Sequence, residues 1–93
     1  MDIYTQLANK IIKEQETIIG PIAWEQAAKV SGLSVDVKNH QFSIVGTNKK
    51  EIIEKLVEQY KLLFGQTSVE VSKDAVKDLI LSTSRDQLPQ ILL

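Results

Sequence analysis

The side chains best suited to catalysis are few in this chain of 93 residues, which has one histidine and no cysteine. The histidine, His40, follows Asn39 at the place where a tight turn is predicted. A nucleophile–histidine–carboxylate arrangement needs a shaped pocket that holds all three groups within hydrogen-bond reach. We therefore interpret His40 as a solvated turn residue. Because one imidazole without thiols cannot form the usual transition-metal sites, we expect no enzyme activity, no metal and no cofactor.

Carboxylates suggest no site for hard cations either. Asp74 and Asp78 lie one turn apart on a predicted helix, but Lys73 and Lys77 stand beside them. Calcium and magnesium bind where several carboxylate or carbonyl oxygens converge. We interpret this face as solvated surface.

The segment Gly46-Thr47-Asn48-Lys49-Lys50 lies between a predicted strand and a predicted helix. Free amides at a helix N-terminus attract anions, and two lysines would add to that attraction. The two-glycine phosphate-loop pattern is absent, because Gly46 is the only glycine of the turn. One hypothesis is a nucleotide or anion sensor that uses Gly46, Thr47, Lys49 and Lys50. The simpler interpretation is a helix cap at Asn48.

Residues 27–34 read Ala-Ala-Lys-Val-Ser-Gly-Leu-Ser, which resembles the turn of helix-turn-helix DNA-binding proteins. The resemblance implies a DNA-binding unit at 22–42, whose second helix would expose Val35 and Val37 and bury Lys38. DNA-binding domains are usually basic and rich in arginine. This chain has eleven basic residues against twelve acidic ones. A DNA-binding regulator is therefore the alternative function, and we do not expect nucleic-acid binding.

Protein contacts are the remaining chemistry that the side chains suggest. Trp24 lies beside the Gly20-Pro21 corner, and tryptophan is enriched at binding hot spots. The C-terminal segment is strongly apolar. We assign partner binding to Trp24, Leu88, Ile91 and Leu92. The other interpretation is that Trp24 covers a small core and the tail completes it.

Hydrophobic periodicity predicts the elements that position these residues. Apolar side chains recur at three- and four-residue spacing over residues 2–19, 22–31 and 49–64, which indicates amphipathic helices. Gly20 and Gly65 suit the ends of the two long helices, because glycine adopts the left-handed cap conformation without strain.

Residues 33–44 alternate between apolar and polar side chains, which predicts a β-hairpin. Asn39 and His40 fit a two-residue turn, since Asn tolerates the backbone conformation that such turns require. In that register two apolar pairs face each other on the buried side of the hairpin: Val37 with Phe42, and Val35 with Ile44.

The C-terminal third allows two interpretations. Residues 68–71 alternate like a third short strand, but a helix from about Ser68 to Leu81 agrees with an internal repeat. Shifted by 45 positions, segment 10–28 partly matches segment 55–73. The matches are Lys10-Ile11-Ile12 with Lys55-Leu56-Val57, Ile18-Ile19-Gly20 with Leu63-Phe64-Gly65, and Glu25 with Glu70. They predict a pseudo-symmetric domain, although amphipathic helices that end in glycine resemble each other in any case.

We therefore predict one α+β domain over residues 1–93: two helices, a hairpin, a long helix, and a C-terminal helix with an apolar tail. With no secretory segment, no membrane-spanning run and no cysteine, we expect a cytoplasmic protein. The predicted function is a small non-catalytic interaction or regulatory module. It should form a homodimer and bind an unidentified protein partner, because one hairpin cannot cover two wide helical stripes and the tail.

Overall fold

The computed structural model describes residues 2–93 and has the predicted α+β class, mostly helical with one two-stranded antiparallel hairpin. The helices are α1 Ile3–Ile19, α2 Ile22–Ala27, α3 Lys49–Phe64, α4 Gln66–Ala75 and α5 Lys77–Leu81. The strands are β1 Leu33–Asp36 and β2 Gln41–Ile44. The tail that follows contains two short 3₁₀ helices, Arg85–Gln87 and Gln90–Leu92.

The third strand considered at 68–71 is wrong, because these residues belong to α4. The buried positions of α4 are Ser68, Val69 and Ser72. That spacing puts all three on one face of a helix, whereas in a strand Ser68 and Val69 would point to opposite faces. Helical packing therefore overrides the local alternation of apolar and polar residues.

The hairpin is present, but its predicted register is wrong by two residues. Val35 pairs with Phe42, and Leu33 pairs with Ile44. Because the displacement is an even number of residues, the alternation still turns the same side chains inward. Val37 lies in the connection between the strands and is half-buried.

A longer turn explains this register. The carboxylate of Asp36 accepts hydrogen bonds from the side-chain amide of Asn39 at 2.7 Å and from its backbone N–H at 3.1 Å. Aspartate commonly closes turns in this way. The same two bonds lower the pKa of Asp36, the side-chain bond contributing most. His40 completes the turn with a φ of 53°, in the left-handed region.

The long helices α1 and α3 run side by side in the same direction. Near their N-termini, the Lys49 ammonium lies 3.0 Å from the carboxylate of Asp2. Near their C-termini, each long helix donates a buried hydrogen bond to a short helix. Gln15 Nε2 donates to the Ser68 carbonyl at 3.0 Å, and Tyr60 Oη donates to the Ala23 carbonyl at 2.7 Å.

The core lies between these helices and draws on almost every element. Both α2 and α4 contact both long helices, and the second 3₁₀ helix packs against α3 and α4. The largest apolar side chains that are fully buried are Leu7, Ile11, Ile12, Trp24, Ile53, Leu56, Val57, Tyr60, Val76, Leu88 and Leu92.

Ile52 packs between Gly32 and Gly46, and its side chain leaves no room for a Cβ atom at position 46. A Cβ at Gly46 would lie 2.5 Å from Ile52 Cδ1. We therefore expect Gly46→Ala to lower the free energy of unfolding by about 1–3 kcal/mol, the usual cost of overpacking. Ile52→Val removes that Cδ1 atom, so the double variant should lose less than the sum of the two single losses.

Urea denaturation of the wild type, the two single variants and the double variant gives the coupling between positions 46 and 52. If the two losses simply add, the steric explanation of Gly46 is contradicted.

Candidate functional site

The turn considered for anion binding is occupied by its own contacts. Asn48 caps α3, because its side-chain oxygen accepts the backbone N–H of Glu51 at 3.3 Å and its amide donates to the Glu51 carboxylate at 3.0 Å. Lys49 is paired with Asp2, and the Lys50 ammonium donates to the carbonyl of Asp86 at 3.0 Å. The structure therefore supports the helix-cap interpretation. Thr47 is exposed beside this cap.

His40 is an exposed residue of the turn, as the sequence indicated, but its ring also makes contacts that the sequence did not predict. The His40 ring stacks on the indole of Trp24, with 5.0 Å between the ring centroids and 8° between the planes. Its Nδ1 lies 3.1 Å from the carboxylate of Glu16, and Phe42 packs against the indole from another side. This cluster joins the tip of the hairpin to α1 and α2.

Trp24 is the buried member of this cluster, with 1% of its surface exposed. Its Nε1 has no hydrogen-bond partner among the described residues. The indole is therefore part of the core, and it has no face to offer a partner in the monomer. Its role in partner binding, assigned from the sequence, is replaced by the second interpretation, in which it covers the core.

The C-terminal tail is also core. Leu88 and Leu92 are 1% and 2% exposed, and Ile91 is half-buried. The Tyr4 hydroxyl donates to the carbonyl of Gln87 at 2.8 Å, which fixes the tail against α1. The tail side chains therefore complete the core instead of forming a free docking surface.

The helix-turn-helix interpretation of residues 22–42 is wrong. The segment that would be the second helix forms most of the β-hairpin, from Val35 in β1 to Phe42 in β2. As a strand it keeps the apolar Val35 half-buried and Lys38 exposed, which a helix would have reversed. The penalty of burying a lysine is thereby avoided.

Residues 2–93 contain no group of three or more His, Cys, Asp or Glu side chains that could hold a metal ion. In the same described part of the chain, none of the helices has the length and apolarity needed to cross a membrane.

Five large apolar side chains near the C-terminal ends of α1 and α3 and at the start of α2 are exposed, and we call this set the apolar end. Its exposed fractions are 57% for Ile18, 39% for Ile22, 79% for Leu62, 49% for Leu63 and 39% for Phe64. Helical periodicity did not reveal this exposure, because most of these residues continue the apolar stripes that are buried earlier in each helix.

Comparison with known proteins adds no family to these observations. No protein-family model matches the chain, and no curated protein or solved structure matches it either.

Proposed function

We propose that the chain is a small non-catalytic interaction module that forms a homodimer through the apolar end. The observation that carries this proposal is the grouping of exposed side chains at one end of the molecule. Five of the eight large hydrophobic residues that are exposed in the described part of the chain belong to it. Contiguous apolar patches on small proteins usually mark interaction sites.

The proposed interface does not include Trp24 or the C-terminal tail. The sequence suggested that the tail would meet a second copy, but Leu88 and Leu92 are already enclosed in the core. What the fold leaves open is the last turn of each long helix. Ile18, Leu63 and Phe64 continue the two buried stripes but are exposed, which supports an interface at this end.

The non-catalytic part of the proposal rests on composition, because His40 is the single histidine of a chain without cysteine. One face of its ring is covered by Trp24, and Nδ1 lies 3.1 Å from the Glu16 carboxylate. These contacts link the hairpin tip to α1 and α2.

Sedimentation velocity over a range of protein concentrations tests the proposal. We expect a reversible dimer at about 100 μM, well above the micromolar affinities of modest interfaces. Leu62 and Leu81 provide a matched pair, since they are 79% and 81% exposed but only Leu62 belongs to the apolar end. Leu62→Ser should weaken the dimer, and Leu81→Ser should leave it unchanged.

A full chain that remains monomeric at that concentration would contradict self-association. Equal weakening by both substitutions would place the interface elsewhere. If the apolar end binds a different protein, the wild type and the Leu81→Ser variant should both bind that protein. The Leu62→Ser variant should not bind it.

A further inference from the structure

The two halves of the chain bury equivalent positions. In α1 the buried residues are Leu7, Ala8, Ile11, Ile12 and Gln15, and in α3 they are Ile52, Ile53, Leu56, Val57 and Tyr60. Every member of the second set lies 45 positions after its counterpart in the first. The short helices agree at three positions, because Ser68, Val69 and Ser72 of α4 correspond to Ala23, Trp24 and Ala27 of α2. They differ at a fourth, because Gln26 is buried and its counterpart Val71 is half-buried.

The helix ends repeat as closely as the buried faces. Gly20 and Gly65 have φ values of 76° and 77°. The backbone N–H of Gly20 donates to the Glu16 carbonyl, and that of Gly65 donates to the Lys61 carbonyl, both at 2.8 Å. The left-handed φ lets each glycine close one helix and direct the chain into the next.

The contacts between the halves are reciprocal. Gln15 of the first half bonds to the Ser68 carbonyl of the second, and Tyr60 of the second bonds to the Ala23 carbonyl of the first. Gln15 and Tyr60 are equivalent positions, and so are Ala23 and Ser68. In a translational repeat Gln15 would bond to the next repeat, and Tyr60 would bond to a residue still farther along the chain, not back to Ala23. Reciprocal exchange is instead the property of a two-fold axis.

The direction of this axis follows from the long helices. A two-fold axis that interchanges two helices running in the same direction must itself be parallel to them. It therefore leaves the molecule where both helices end, which is the apolar end. Ile18 and Leu63 are equivalent residues on either side of it, with similar exposed fractions of 57% and 49%.

We propose that a second copy of the chain docks end to end on this internal two-fold axis, with Ile18 of the first half and Leu63 of the second half both in the interface. The inference depends on the proposed function, and it adds that the apolar end of one copy contacts the apolar end of the other. Ile18 and Leu63 are the exposed pair that follows this symmetry, and a second copy presents the same pair for an isologous contact.

Charge favours one rotation of the second copy about this axis over the opposite one. Glu16 and Lys61 occupy equivalent positions in the last turns of α1 and α3, yet they carry opposite charges. Glu16 also lies 3.1 Å from His40 of its own chain, and its side chain is 31% exposed. The arrangement that places the first half over the second half of the other copy brings each Lys61 towards Glu16 of the other chain. The arrangement that superposes identical halves brings like charges together, which is unfavourable.

The test compares Ile18→Glu with Leu63→Glu by sedimentation, with Val45→Glu as the control. Val45 is 67% exposed but lies at the end of the hairpin, outside the apolar end. We expect Ile18→Glu and Leu63→Glu each to weaken the dimer by about tenfold or more, as at the centre of an interface. Lys61→Glu should weaken it by a smaller factor that shrinks with added salt.

Each outcome separates the inference from the proposed function. A dimer that only one of Ile18→Glu and Leu63→Glu weakens would contradict the two-fold interface while leaving self-association intact. A dimer that Val45→Glu weakens equally would place the contact elsewhere and contradict the inference. A wild type that does not self-associate would contradict both. Circular dichroism spectra of all variants establish that each remains folded.

Discussion

A chain stopped after Thr83 is expected to lose its stable fold. The deletion removes Leu88 and Leu92, whose side chains are 1% and 2% exposed in the core. Truncating one buried leucine to alanine typically costs about 2–5 kcal/mol. A domain of this size has a total stability of about 5–14 kcal/mol, so losing both side chains and their segment removes most of it.

The measurement is the helical circular dichroism signal during urea denaturation, at one fixed protein concentration because dimerisation would add stability. Leu88→Ala and Leu92→Ala should each shift the midpoint to lower urea, by several times the shift of Leu93→Ala. Leu93 is the matched control, with 38% of its surface exposed. A shortened chain as stable as the full one would show that the tail does not belong to the core.

Trp24→Ala should be among the most destabilising single substitutions, with a loss of about 3–5 kcal/mol. The indole fills the space between α2 and the hairpin, where it contacts the rings of His40 and Phe42. Without it, the hairpin loses its main anchor on the helices. Two strands alone are marginally stable in water.

Thermal and urea unfolding of Trp24→Ala and His40→Ala give the required comparison. The His40 side chain is 44% exposed, so its removal should cost clearly less than removal of the buried indole. Equal losses would mean that the stacking and the contact of His40 with Glu16, and not burial of the indole, hold the hairpin in place.

Helices and strands could be predicted where a local signal sufficed. The long helices end at Gly20 and Gly65 as expected, because both residues have a positive φ, which glycine adopts without strain. The strands likewise followed from alternation. The hairpin register did not, because two turn lengths satisfy the same alternation. The carboxylate of Asp36 decides between them by bonding to Asn39.

The burial of Trp24 and of the tail could not be predicted from the sequence, since an apolar side chain at a corner or terminus can belong to a core or to an interface. The answer depends on distant contacts, such as the bond from Tyr4 to Gln87 across the fold. The apolar end was missed for a related reason: where a buried stripe stops being covered depends on how the neighbouring helices pack.

The internal repeat remains a prediction about the origin of the two halves. Its sequence matches were partial, while the buried positions and the reciprocal bonds of Gln15 and Tyr60 agree at the same 45-residue shift. Side-chain identity differs more than burial between the two halves, because the same burial tolerates Gln or Tyr and Ala or Ser.

Crosslinking of single-cysteine variants tests the central claim most directly, because the chain has no cysteine of its own. A cysteine at position 63, in Leu63→Cys, should be joined to a second copy by a short thiol-specific crosslinker. The exposed control, Leu81→Cys, should remain monomeric under the same conditions. Efficient dimer formation by the first variant alone is the result that our account predicts. Equal crosslinking of both variants, or of neither at concentrations where the wild type should be dimeric, would contradict an interface at the apolar end.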